Sequence, residues 1–188
     1  MSLKDENVAL LMIDMQKGFD IEDHWGGNRN NPDAETKAKT ILNKWREQQL
    51  PVFHIIHSSQ DPNSKLHESH PGFEIKDFAK PIDDEPLIVK SVNSGFIGTD
   101  LEEQLRNQNI HKVVILGLTT NHCISTTTRM AGNLGFDTLL ISDATATFDR
   151  VGINGELFPA ELIHQTTLAN LQDEFAQIID TQKLLELV

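Results

Sequence analysis

The chain has 188 residues, a single cysteine, and 16 Lys plus Arg against 28 Asp plus Glu, for a formal net charge of -12. That surplus of negative charge repels phosphate backbones and anionic membrane surfaces, so no nucleic acid and no membrane is expected as a partner. One cysteine permits no internal disulfide, the start MSLKDENVALLMID lacks the basic opening and long apolar run of a secretory signal, and no apolar run can span a bilayer; a cytoplasmic protein is expected.

The length suits one domain, residues 1–188, able to bury about 70% of the surface that its unfolded chain would expose. Taken in chain order, six apolar runs have strand length: Val8 to Ile13, Val52 to Ile56, Leu87 to Val89, Val113 to Leu116, Thr138 to Ile141 and Phe175 to Ile179. Helical periodicity lies between them. Ala34, Ala38, Ile41, Leu42 and Trp45 share one face, with Asn31 and Pro32 set as an N-cap and first-turn pair. A second helix begins at Thr99, where Glu102 completes a capping box ahead of Leu101 and Leu105. A third follows Cys123 through Met130 and Leu134 to Gly135, and a fourth runs from about Pro159 to Leu171 with Leu162, Ile163, Leu168 and Leu171 on its apolar side.

Uninterrupted apolar strands alternating with helices define an α/β fold: a three-layer α-β-α arrangement with a six-stranded, mostly parallel, Rossmann-like sheet covered on both faces. No repeat or linker divides the chain. The irregular stretch Ser58 to Asp84 is either a lid or binding loop, or surface ornament.

In a parallel sheet the residues just past the strand ends converge on one edge, where ligands bind in open α/β folds. Asp14 ends the first strand, Lys90 ends the third, and Cys123 follows the fourth. Alone, each has an ordinary explanation: a loop-capping acid, a solvated strand terminus, a small buried hydrophobe. Together they form an acid, a cation and a thiol at one edge. A helix beginning near Asn121 to Cys123 would put the thiol at its N-terminus, where the dipole and the Lys90 ammonium favour thiolate and lower its pKa. Asp14 could then take the thiol proton and return it to a leaving amine, with helix-start amides holding an oxyanion.

The segments LLMIDMQKGF, KSVNSGFIGTDLEEQL and VVILGLTTNHCISTTTRMAGNLGFDTLLISDAT resemble the three signature blocks of the isochorismatase-like cysteine hydrolases, a superfamily that includes nicotinamidases and N-carbamoylsarcosine amidases. The resemblance covers nearly the whole chain, and its third block matches without a gap. It implies that Asp14, Lys90 and Cys123 are the catalytic triad, with Cys123 attacking a carbonyl carbon to leave a thioester. It also implies a cis peptide at Leu118–Thr119, an oxyanion hole made by the amides of Thr119 and Cys123, a small-molecule substrate, no cofactor, and a homodimer or homotetramer.

Departures from the pattern narrow the expectation. The Asp-x-His metal motif of nicotinamidases is replaced by HIIHSSQDPNSKLHESH; His54 and His57 fall on opposite faces of a strand, and His67 and His70 lack a clear third ligand, so no metal is expected. Retention of Cys123 favours cleavage of a C–N bond in a small amide or ureido substrate. The alternatives are a vinyl-ether hydrolase of the isochorismatase type that does not use the thiol covalently, and a non-catalytic binding homologue. A redox role would lack a resolving cysteine. Phe19, Trp25 and Phe96 are candidate pocket walls, with core packing the competing role for Phe19 and Phe96 and packing against a second subunit the competing role for Trp25. His122 is assigned a structural or interface role, and Asn121 and Asp143 are assigned to loop ordering.

Overall fold

The structure is a computed structural model describing residues 3–188, without the side chain of Asp5. Six strands form one sheet in the order β3-β2-β1-β4-β5-β8, every neighbouring pair parallel. They are β1 (Val8–Ile13), β2 (Val52–His57), β3 (Leu87–Lys90), β4 (Lys112–Leu118), β5 (Asp137–Ala146) and β8 (Gln177–Ile179). The helices are α1 (Glu22–Trp25, a single turn), α2 (Ala34–Glu47), α3 (Leu101–Asn107), α4 (Ser125–Asn133), α5 (Ala160–Leu171) and α6 (Thr181–Leu187), and β6 (Arg150–Val151) pairs with β7 (Leu157–Phe158) as a separate antiparallel hairpin. No helix among the described residues is long and apolar enough to cross a membrane.

The strand alternation sorts the core onto the two faces of the sheet. Ala9, Leu11 and Ile13 pack on one side with Phe53, Ile55, Val113 and Ile115. Val8, Leu10 and Met12 pack on the other with Val114, Leu116 and α2 residues Ala38, Ile41, Leu42 and Trp45. Every residue of β1 is buried because both faces are covered, which is why this strand reads as an unbroken apolar run. Closely packed central strands also demand a glycine. Gly117 has φ +130°, and a Cβ built on it would lie 1.9 Å from the Ile13 carbonyl oxygen.

Several local details differ from expectation. Asp33, not Asn31, is the N-cap of α2; Asn31 has φ +43° and its amide donates to the Ser142 and Thr145 carbonyls. Asp100 is the N-cap of α3, and the Thr99 hydroxyl donates to the Gly95 carbonyl. Leu162 is exposed on α5, where His164 takes the buried position instead. The last strand is shorter than its apolar run because Phe175 belongs to the turn before it.

The sheet grows outward in both directions from β1, with β2 on one side and β4 on the other. A topological switch point therefore lies between β1 and β4, and the crevice beyond their carboxyl ends is the site where such folds take ligands.

Candidate active site

Asp14 follows β1 at this crevice in a left-handed conformation, φ +53°, which an aspartate tolerates better than a branched residue. Its amide donates to the Ile55 carbonyl and its carbonyl accepts from Gln16, so the chain turns sharply and holds the carboxylate in place. Lys90 reaches the same point from the edge strand β3. Its neighbour in register is His57, the last residue of β2. Cys123 arrives from the opposite side on a π-helical turn, Thr120–Ile124, that leads into α4, and the Leu118–Thr119 peptide before it is cis. A single π turn within a helix start is a form found often at functional sites.

These residues meet at hydrogen-bond distances. The Lys90 ammonium lies 2.9 Å from Asp14 Oδ2, 3.2 Å from His57 Nδ1 and 3.3 Å from Cys123 Sγ. Three N–H donors thus face three acceptors, and the Asp14–Lys90 pair is wholly buried. The second carboxylate oxygen, Asp14 Oδ1, is buried and has no hydrogen-bond partner among the described residues. Asp14, His57 and Cys123 offer possible metal-ligand atoms within 4.8 Å of one another, but all three already surround the Lys90 ammonium, which a metal ion would have to displace. His67 Nδ1 lies 2.8 Å from Ser69 Oγ and His70 Nδ1 accepts from the Gly72 amide, leaving them as local loop-ordering groups.

The charge states follow from burial and these neighbours. Burial works to discharge Lys90, but Asp14 and the Cys123 sulfur outweigh it, so its pKa is raised above the ordinary lysine value. Burial and the Asp14 carboxylate push the Cys123 thiol up, against the pull of Lys90. This reverses the low-pKa thiol expected from a helix start beside a lysine. The sequence places the cation near the sulfur but does not reveal that the sulfur is enclosed and shares that cation with a carboxylate. His57 is held down by burial and then by Lys90, and His122 by burial and then by Arg150, so both are neutral near pH 7.

A cavity of about 230 Å³ opens above Cys123. Phe19, Trp25 and Leu66 are its apolar lining, and Asn93, Thr119 and His122 line it as well. Ser59, Ser64 and His57 complete it from β2 and the following loop. Phe19 and Trp25 stack with ring centroids 4.7 Å apart, and the indole donates to the Gly18 carbonyl at 2.9 Å, which fixes the wall. Phe96 does not line this cavity: it stacks on Phe136 at 5.8 Å in the core, because its loop turns inward after β3. Larger open grooves of about 740 and 530 Å³ lie along the outer edge of β3 and beside the end of α2, away from the thiol.

His57, Asn93 and His122 are pocket residues that the sequence reading did not assign to the site. For His57 a signal existed, since it ends a parallel strand just as Lys90 does. Asn121 accepts from the Thr147 hydroxyl at 2.5 Å and Asp143 accepts from the amide and hydroxyl of Thr181, both as ordering contacts. Gly95 N donates to Thr127 Oγ1 at 3.0 Å, tying the loop that follows Lys90 to the helix that follows Cys123.

A parallel sheet that gathers an acid, an ammonium and a thiol at its switch point, with a cavity above the sulfur, has the layout of a cysteine hydrolase site. The Isochorismatase domain model matches residues 8–183, and the chain belongs to the isochorismatase family of hydrolases. It is 51% identical over 181 residues to the uncharacterized isochorismatase family protein YrdC of Bacillus subtilis, covering 96% of each chain. It is 30% identical over 196 residues to Nicotinamidase 3 of Arabidopsis thaliana, with 94% of this chain and 86% of that one covered. Among solved structures, one described as a hydrolase of the isochorismatase family from Chromobacterium violaceum superposes with a TM-score of 0.90 at 39% identity, covering 95% of this chain and 91% of that one.

Proposed function

We propose that this hydrolase cleaves a C–N bond of a small amide or ureido substrate through a thioester on Cys123, with Asp14 as general base and acid and Lys90 as their electrostatic partner. The observation that carries this reading is the division of labour within Asp14. One oxygen is held by Lys90, and the other is a buried acceptor with no partner among the described residues, on a carboxylate within 4.8 Å of the thiol sulfur. A thiol pushed up by its surroundings keeps its proton at rest and requires such a base.

In the forward step the thiol proton passes to Asp14 as sulfur bonds to the substrate carbonyl carbon. The negative charge moves to the carbonyl oxygen, for which the amides of Thr119 and Cys123 are the proposed donors. Collapse of the tetrahedral species breaks the C–N bond, and Asp14 gives its proton to the departing nitrogen. Water, deprotonated by the same carboxylate, then attacks the thioester carbon; the acid leaves and the thiol is restored. Lys90 stays charged throughout, offsetting whichever of carboxylate and sulfur is negative. No step requires a metal, and the ammonium occupies the centre of the donor set that could hold one.

Support also comes from the family relative named as a nicotinamidase. The test is turnover of a panel of small amides and ureides by wild type and Cys123→Ala. Loss of turnover in a folded variant is expected. Full turnover without the thiol would sink the covalent mechanism.

A further inference from the structure

Taking the Cys123 cavity as the substrate site, as proposed above, we infer that it selects uncharged, flat, single-ring or short-chain substrates and excludes those bearing carboxylates, the chorismate type among them. Three observations converge on this. The first is the wall: Phe19 and Trp25 are stacked on each other, with Phe148 behind at 6.4 Å from the Phe19 ring, giving a rigid aromatic surface suited to a planar group. The second is size, since about 230 Å³ falls below the range of roughly 300–1,000 Å³ that holds drug-sized ligands.

The third is charge. No lining residue carries a formal charge among the described residues: the polar ones are serines, Asn93, Thr119, the thiol and two histidines that burial keeps neutral. The nearby cations do not line the cavity. Lys90 already faces three acceptors, and the Arg150 guanidinium donates to the Trp25 carbonyl at 3.1 Å and lies 3.5 Å from Nδ1 of the lining His122. A carboxylate entering here would give up its hydration, meet no charged lining residue, and approach Asp14. Serine hydroxyls and the Asn93 amide, by contrast, can both give and accept hydrogen bonds, which matches an amide or urea.

The test needs no knowledge of the substrate. Iodoacetamide and iodoacetate are similar in size and differ in charge; each forms an S–CH2 bond on Cys123 and releases iodide, the thiol proton leaving to base. Their alkylation rates are measured by mass spectrometry on the intact protein and divided by the rates for free cysteine at the same pH. The normalised ratio is expected to favour the neutral reagent by about tenfold or more. A ratio at or below that of free cysteine overturns the inference, and its reversal by Arg150→Gln would trace anion binding to that arginine. Should the thiol resist both reagents, Trp25 supplies the second reading, because the other tryptophan, Trp45, is fully buried. Neutral acrylamide is then expected to quench fluorescence more effectively than iodide, and equal quenching overturns the inference. Failure of the C–N reading shows separately, as a neutral-selective pocket with no amide turnover.

Discussion

Lys90→Met tests the buried triad most directly, because methionine keeps an unbranched stem of similar reach and removes only the ammonium. Asp14 would then keep a carboxylate with no exposed surface and no cation, since Lys90 is its partner at 2.9 Å. Breaking a buried pair on one side costs about 3–5 kcal/mol. Against a typical domain stability of about 5–15 kcal/mol the variant remains folded, and the loss is measurable by urea denaturation. Adding Asp14→Asn removes the stranded charge, so the double variant is expected to be more stable than Lys90→Met alone while turning over no amide. Because the folded pKa of Lys90 is raised, the stabilisation is fully present below its ordinary value of 10.5 and is lost only as pH rises through the higher folded value. A Lys90→Met protein as stable as wild type, or a double variant no more stable than the single, would refute the reasoning.

Two further outcomes follow from packing and from burial. Gly117→Ala is expected to cost about 3 kcal/mol, because its Cβ would meet the Ile13 carbonyl in the adjoining strand, whereas Gly98→Ala, at φ +70° with open space around it, should lose only about 1–2 kcal/mol from its backbone conformation; thermal denaturation of the pair separates contact from strain. His54, His57, His122 and His164 all have pKa values lowered by burial, so in the window below about 6.5 the unfolded chain binds more protons than the folded one. The urea midpoint should therefore fall as pH drops from about 7 to about 5, and a flat midpoint over that range would contradict it.

The frame was legible because burial on both faces leaves a plain trace. Val8 to Ile13 reads as a strand on apolar content alone, and its bounds coincide with β1. Asp14, Lys90 and Cys123 could be placed together because parallel strands deliver their last residues to one edge. What depends on enclosure was not legible: the direction of the Cys123 pKa is set by how the loops cover it, and Phe96 turns into the core beside Phe136 where spacing from Lys90 alone left the wall open to it. The β6–β7 hairpin did carry a signal, the Asn154-Gly155 pair in the connection between Val151 and Leu157, a dipeptide that favours turns. Its strands of two residues each are too short for periodicity to register. Helix α6 is only seven residues long, too short for its period to stand out, whereas the three-residue strand before it lies within the apolar run Phe175 to Ile179.

The buried side chain of Gln16 bears on how a substrate reaches the thiol. Its amide donates to the carbonyls of His57 and Phe73 and accepts from the His57 amide, so one residue grips the end of β2 and the middle of the loop that leaves it. The same loop is fastened again where Gly18 and Gly72 meet backbone to backbone and where the Lys76 ammonium pairs with Asp20. A segment held at several points along its length is a fixed wall, not a door. On the proposed reading, a substrate fits an opening whose shape exists before it arrives, with little entropy spent on ordering the loop when it binds. Changes in substrate choice along this lineage would come from residues such as Leu66, Ser64 and Trp25 that face the cavity, without any change in the loop's path.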